Sequence, residues 1–150
     1  MAPTQCVSTG GFIDTQTLPI GGAYKILLMP TDASTGSITL TLYKVVDVKG
    51  TIVIGGPAIK VNITTPGQNA ELTFVGTANQ QVTVHAKDST IKCVTIGIVN
   101  PNGTSLFSEF QCLGTFDLPI QTLPAKGTYT LSINPFDVNT GSMTVNMTSP

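Results

Sequence analysis

The sequence predicts an all-β protein: a Greek-key or jelly-roll β-sandwich with an N-terminal partial second copy of the same unit. Three observations carry that prediction. Apolar and polar residues alternate with a period of two over short runs, and nothing has a helical period. Turn formers interrupt these runs about every 8 to 12 residues, giving about eight short strands in about 100 residues, as in a two-sheet sandwich. Finally, Gln16–Leu42 (QTLPIGGAYKILLMPTDASTGSITLTL) returns as Gln121–Met147 (QTLPAKGTYTLSINPFDVNTGSMTVNM) with 12 identities in 27 ungapped positions. A repeat spaced by 105 residues is too long for a solenoid, so the repeating unit is a whole β-domain.

Residues 1–48 read as the partial copy, the C-terminal half of a sandwich unit, and 49–150 as the complete one. In the partial copy, Ile13–Leu18 reads as a short strand ending at Pro19. Tyr24, Ile26 and Leu28 share one face of a second, and Ile38, Leu40 and Leu42 share one face of a third within Gly36–Val46. Thr31–Gly36 is the turn between them, and Asp47–Gly50 the joint to the next copy. The strands expected in the complete copy are Thr51–Ile54, Ala58–Thr64, Ala70–Val75, Gln81–Ala86, Ile91–Val99, Thr104–Cys112, Thr115–Thr122, Thr128–Asn134 and Gly141–Met147. Leu72, Phe74, Val82, Val84, Val94, Ile96, Ile98, Leu106, Tyr129, Leu131, Ile133, Met143 and Val145 fall on their inward side. At about 1.5–3 kcal/mol for each large side chain buried, that set sustains a core by itself.

Each copy contains Leu-Pro-x-x-Gly-x-Tyr, ending at Tyr24 and at Tyr129. A tyrosine just after a glycine-bearing turn resembles the tyrosine corner of Greek-key sandwiches, in which the hydroxyl bonds to upstream backbone. Both are read as structural, with stacking on a ligand as the alternative. Leu72-Thr73-Phe74-x-Gly76-Thr77-Ala78-x-Gln80-x-Val82-Thr83-Val84 resembles the opening of the bacterial pre-peptidase C-terminal domain, although Asn79 stands where that family usually has glycine. Ile98–Leu106 and Leu123–Leu131 are similar to its middle and closing elements. The resemblance covers Ala58–Met147, while Gly10–Leu42 matches only the second half of a unit. It implies a secreted jelly-roll module, usually an appendage to an enzyme or one unit of a tandem surface protein. Some relatives bind calcium or polymeric substrates through acidic clusters that this sequence lacks.

Cys93 and Cys112 carry the sharpest local signal. With Asn102-Gly103 as a two-residue hairpin turn, residues whose numbers sum to 205 face each other, and these two cysteines do. A disulfide is expected there, the alternative being two free buried thiols; Pro101 argues for a longer loop. Cys6 precedes Gly10–Asp14 much as Cys112 precedes Gly114–Asp117, but the counterpart of Cys93 is missing, so Cys6 is expected unpaired or in an intermolecular bond.

Little else offers chemistry. The only histidine, His85, sits on a strand without metal-ligand spacing, and the eight acids are scattered singly. Asp32 and Asp137 occupy matching turns, where Asx-type bonding to the backbone is the plain reading and calcium the alternative. No nucleophile elbow, zinc-protease motif or phosphate loop occurs, so no enzyme, cofactor or metal site is expected. All seven basic residues are lysine and the net charge is −1, which argues against nucleic acid. No apolar run reaches the length of a membrane span. The start lacks a signal-peptide pattern, so Met1 reads as an added start or as the edge of an excerpt from a longer secreted chain. Lysine–asparagine isopeptide bonds are conceivable, and Asn62, Asn102 and Asn146 head glycosylation patterns.

A half-copy without its other strands would bare an apolar face and open edges. Its six residues Tyr24, Ile26, Leu28, Ile38, Leu40 and Leu42 must be covered, either by the chain's own unit or by a neighbour. The function expected is an extracellular or cell-surface structural and adhesive module, a unit of a tandem-repeat protein or fibre, associating with its own kind through these strands. The alternative is a polysaccharide- or matrix-binding accessory module of a secreted hydrolase. Tryptophan is absent and most aromatics face the core, which leaves Phe136 as the aromatic to test for a ligand.

Overall fold

The computed structural model describes residues 4–7, 10–112 and 114–150. Among the described residues there are ten strands: β1 Val48–Thr51, β2 Ile59–Ile63, β3 Ala70–Gly76, β4 Gln81–Lys87, β5 Val94–Val99, β6 Ser105–Gln111, β7 Phe116–Asp117, β8 Gln121–Thr122, β9 Gly127–Pro135 and β10 Gly141–Thr148. They make two packed sheets, ordered β1-β3-β9-β5-β6 and β2-β10-β4-β7, with β8 also on β4. Among the described residues the pairings between these strands are antiparallel except β1 on β3, and an isolated parallel bridge joins Ile54 to Met147. The fold is therefore the expected all-β sandwich.

Strict alternation puts Leu72, Phe74, Val82, Val84, Leu131, Ile133, Met143, Val145 and Met147 between the sheets, where each is buried. Of the expected inward set only Leu106 is half-buried, because it sits at a register shift near the end of the β5–β6 hairpin. The centre of the sandwich belongs to one continuous stretch. β9 lies between β3 and β5 in one sheet, β10 lies between β2 and β4 in the other, and the turn from Phe136 to Thr140 crosses between them. This β-arch is the second copy of the repeat.

Several local expectations need correction. The β5–β6 turn is not the two-residue Asn102-Gly103 turn but a four-residue one, with the Gly103 N–H donating to the Asn100 carbonyl (2.9 Å). Pro101 takes the position where its fixed φ fits and no donor is needed. A bulge between Ile98 and Val99 then restores the register that sums to 205, from Ile98–Phe107 to Val94–Gln111. Cys93 and Cys112, one step beyond, are disulfide-bonded. Closing a loop of this length stabilises by about 3 kcal/mol. Thr115–Thr122 is not one strand: Pro119 lacks a donor, and the segment splits into β7 and β8 around buried Leu118.

The largest correction concerns the front of the chain. Ile13–Leu18, Tyr24–Met29 and Gly36–Val46 form no strands; they touch the sandwich near their outer ends, at Thr15 and Val46, and add no strand to either sheet. Tyr24, Ile26, Leu28, Ile38, Leu40 and Leu42 are 47–84 % exposed, so the chain's own unit does not cover them. A strand exists only with a hydrogen-bonded neighbour, and the central places this sequence fits are filled by β9 and β10.

Candidate functional site

Although it lacks sheet partners, Gln16–Leu42 keeps the local geometry of Gln121–Met147. In the second copy the Tyr129 hydroxyl donates to the Ala125 carbonyl (2.7 Å) and accepts from the Ala125 N–H (3.2 Å). In the first, the Tyr24 hydroxyl donates to the Ile20 carbonyl (2.6 Å) and accepts from the Ile20 N–H (3.3 Å). Both tyrosine corners therefore form, each closing on the residue four positions upstream. The next turn is repeated too: Ser34 N–H donates to Thr31 (3.1 Å), and Asn139 N–H to Phe136 (3.2 Å). Asp32 and Asp137 adopt the left-handed conformation at φ 54° and 57°.

What differs is the surroundings. Tyr129 stacks on Phe74 with ring centroids 5.4 Å apart, and it is fully buried with Leu131, Ile133, Met143, Val145 and Met147. Their counterparts Tyr24, Ile26, Leu28, Ile38, Leu40 and Leu42 are all apolar and all stand in solvent. Two glycines make the same point. A β-carbon on Gly127 would lie within 3.0 Å of Pro101, and one on Gly141 within 2.8 Å of Thr90. Gly22 and Gly36 hold the matching positions in the first arch, yet nothing lies within 4 Å of theirs. The first arch thus carries the same apolar positions and the same glycines without packed neighbours around them.

His85 forms the other notable cluster. Its Nδ1 lies 2.7 Å from Asp117 Oδ1 and its Nε2 lies 2.9 Å from Thr148 Oγ1. A hydroxyl, an imidazole and a carboxylate in line have the order of a nucleophilic triad. The line lies along an open sheet face, however. His85 and Asp117 are register partners on β4 and β7, and the Asp117 side chain is 66 % exposed. Neither the groove beside Ile52–Ile54 nor the one beside Phe136 is lined by these three residues. The arrangement ties the short edge strand β7 and the end of β10 to β4. The sequence shows His85 on a strand, alternating with Val82 and Val84, but not its partners, 32 and 63 residues away.

Cys6 is free and exposed. Phe136 is exposed and meets Phe110, also exposed, edge to face at 5.5 Å. Beside them runs a groove lined by Gln5, Phe12, Asp14, Asn134 and Asp137, among others. Among the described residues no three His, Cys, Asp or Glu side chains are placed to hold a metal ion. Among the described residues no helix is long and apolar enough to cross a membrane.

No family model and no curated protein matches this sequence. Solved structures do match. The pre-peptidase C-terminal domain of a collagenase from Bacillus anthracis aligns over 71 % of this chain and 99 % of its own, at 10 % identity and a TM-score of 0.55. The periplasmic g-type lysozyme inhibitors PliG of Aeromonas hydrophila and Salmonella Typhimurium align at 17 % and 16 % identity, with TM-scores of 0.44 and 0.42. They cover 68 % and 69 % of this chain, and 99 % and 97 % of their own. The sandwich is thus of the pre-peptidase C-terminal-domain fold.

Proposed function

We propose that this chain is a non-enzymatic structural unit of an extracellular or cell-surface tandem array or fibre. Its N-terminal arch is the closing half of an adjoining sandwich. The occupant of the arch's apolar face is the open half of a unit of the same fold, with strands equivalent to β3 and β5 on one side and β2 and β4 on the other. The observation that carries this reading is the match between two arches of one local geometry, six buried apolar positions in one and six exposed apolar positions in the other. Burying each of them is worth about 1.5–3 kcal/mol. The partner half comes either from residues that precede such an arch in a longer polypeptide or from a neighbouring molecule. Domain limits follow the same division, one residue earlier than the expected 1–48 and 49–150: Val48 already pairs with β3, so the complete unit starts there. The open setting of His85, Asp117 and Thr148 favours a structural role over catalysis.

The test compares the whole chain with a version starting at Val48, by size exclusion and electron microscopy. The truncated protein is expected as a monomer and the whole chain in larger species held through the arch. The same assembly state for both would end the bridging reading.

A second reading is favoured by the exposed Phe110–Phe136 pair beside a groove bearing carboxylates and amides, a combination suited to polysaccharide. Pulldown on insoluble glycans tests it. Retention that disappears in F110A/F136A supports an accessory binding module, and no retention removes it.

A further inference from the structure

The two ends of the N-terminal arch reach the same turn of the sandwich, the one between β2 and β3. At its leading end, Thr15 Oγ1 donates to the Gly67 carbonyl (2.8 Å). At its trailing end, Gln68 Nε2 donates to the Val46 carbonyl (2.6 Å), and Asp47 Oδ1 accepts from the Asn69 N–H (3.0 Å). The Val48 N–H then donates to the Asn69 carbonyl (2.8 Å) and starts β1. Gln68 is itself held: its Oε1 accepts from the Thr64 N–H (2.8 Å), which leaves its amide nitrogen aimed at Val46. Gly67 sits at the tip with φ +81° and is nevertheless buried, because Thr15 and Phe12 lie on it. A β-carbon there would come within 2.8 Å of Thr15 Oγ1 and 3.3 Å of the Phe12 ring. The tip therefore requires glycine for its backbone conformation and for the close approach.

We propose that the Thr64–Asn69 turn is the face on which each sandwich receives the unit before it. It grips both ends of that unit's closing arch, so successive units meet at a fixed angle and the array is a stiff rod. The partner is a sandwich of the same fold, recognised at two places: the backbone leaving its last strand, and the corner before its tyrosine motif. The link from Val46 to Val48 is too short and too fully bonded to swing. What the arch belongs to rests on the reading proposed above; the grip itself is measurable without it.

The test uses the whole chain, observed by {1H}–15N heteronuclear NOE and amide exchange. Amides at 15–16 and 46–48 are expected to give NOE values equal to those of β3 and β9. In D47A/Q68A the values at 46–47 are expected to fall to the level of the exposed middle of the arch. Exchange at the Asn69 N–H is then expected to rise about 10- to 100-fold with loss of a charge-assisted hydrogen bond. D47N, which keeps an acceptor oxygen, is expected to restore most of the protection. Strand amides of β3 and β9 report that the sandwich stays folded. Low NOE values at 15–16 and 46–48 in the unaltered chain would overturn the proposal, as would a double variant with unchanged values. Neither result depends on whether the arch later finds a partner, so failure of this inference and failure of the assembly reading are distinguishable.

Discussion

Two stretches of this molecule share sequence and local shape but not environment. Gln121–Met147 runs through the centre of both sheets; Gln16–Leu42 makes the same tyrosine corner and the same turn, and then stands in water. The difference separates two causes of structure. Corners and turns are set by residues a few positions apart, through a hydroxyl that closes on nearby backbone and an aspartate that tolerates a left-handed φ. Strands are not set that way. They need a hydrogen-bonding neighbour and a facing sheet, and only the second arch has them.

The comparison is broken most severely by a charge. Leu131→Asp places a carboxylate without a partner in the core and is expected to cost more than about 4 kcal/mol, enough to unfold the sandwich. Ile26→Asp, at the matching exposed position, is expected to change stability by less than about 0.5 kcal/mol in urea titration. Equal losses would mean that the first arch already packs in solution. Breaking the Cys93–Cys112 bond with serine at both positions is expected to cost about 3 kcal/mol and to lower the thermal midpoint. A thiol assay on the folded, unaltered protein is expected to find only Cys6 reactive.

Smaller changes sharpen the contrast. Gly141→Ala forces a methyl against Thr90 and is expected to cost about 1–3 kcal/mol, while Gly36→Ala is expected to be neutral in the isolated chain. Tyr129→Phe removes a hydroxyl from a closed corner in the core and is expected to cost about 1–2 kcal/mol; Tyr24→Phe is expected to have a barely measurable effect.

The sandwich was legible because alternation is strong in β3, β4, β9 and β10, and because glycine, proline and asparagine mark the breaks. The disulfide was legible through register, although the turn behind it was not: Pro101 lengthens the loop and the bulge at Val99 compensates, a cancellation no local pattern reveals. The parallel pairing of β1 with β3 and the His85–Asp117–Thr148 line were hidden because they join residues remote in sequence. For the candidate site, the sequence displayed the apolar face of the first arch and its kinship with β9 and β10. It did not display the grip at Gly67, Gln68 and Asn69, since a turn rich in glycine and amides reads the same whether or not another segment rests on it. The expectation of formed strands at Tyr24–Met29 and Gly36–Val46 failed because alternation states which face would be buried, not whether a partner is present.

Complementation tests the central claim most directly. Residues 48–122, carrying β1 to β8 without the central arch, are to be co-expressed with the tagged whole chain and captured on its tag. The account predicts equimolar recovery of the fragment, abolished by I26D/L40D in the whole chain and unaffected by F110A. Failure of the fragment to bind, or binding that survives I26D/L40D, would show that the front arch is not the missing centre of a sandwich.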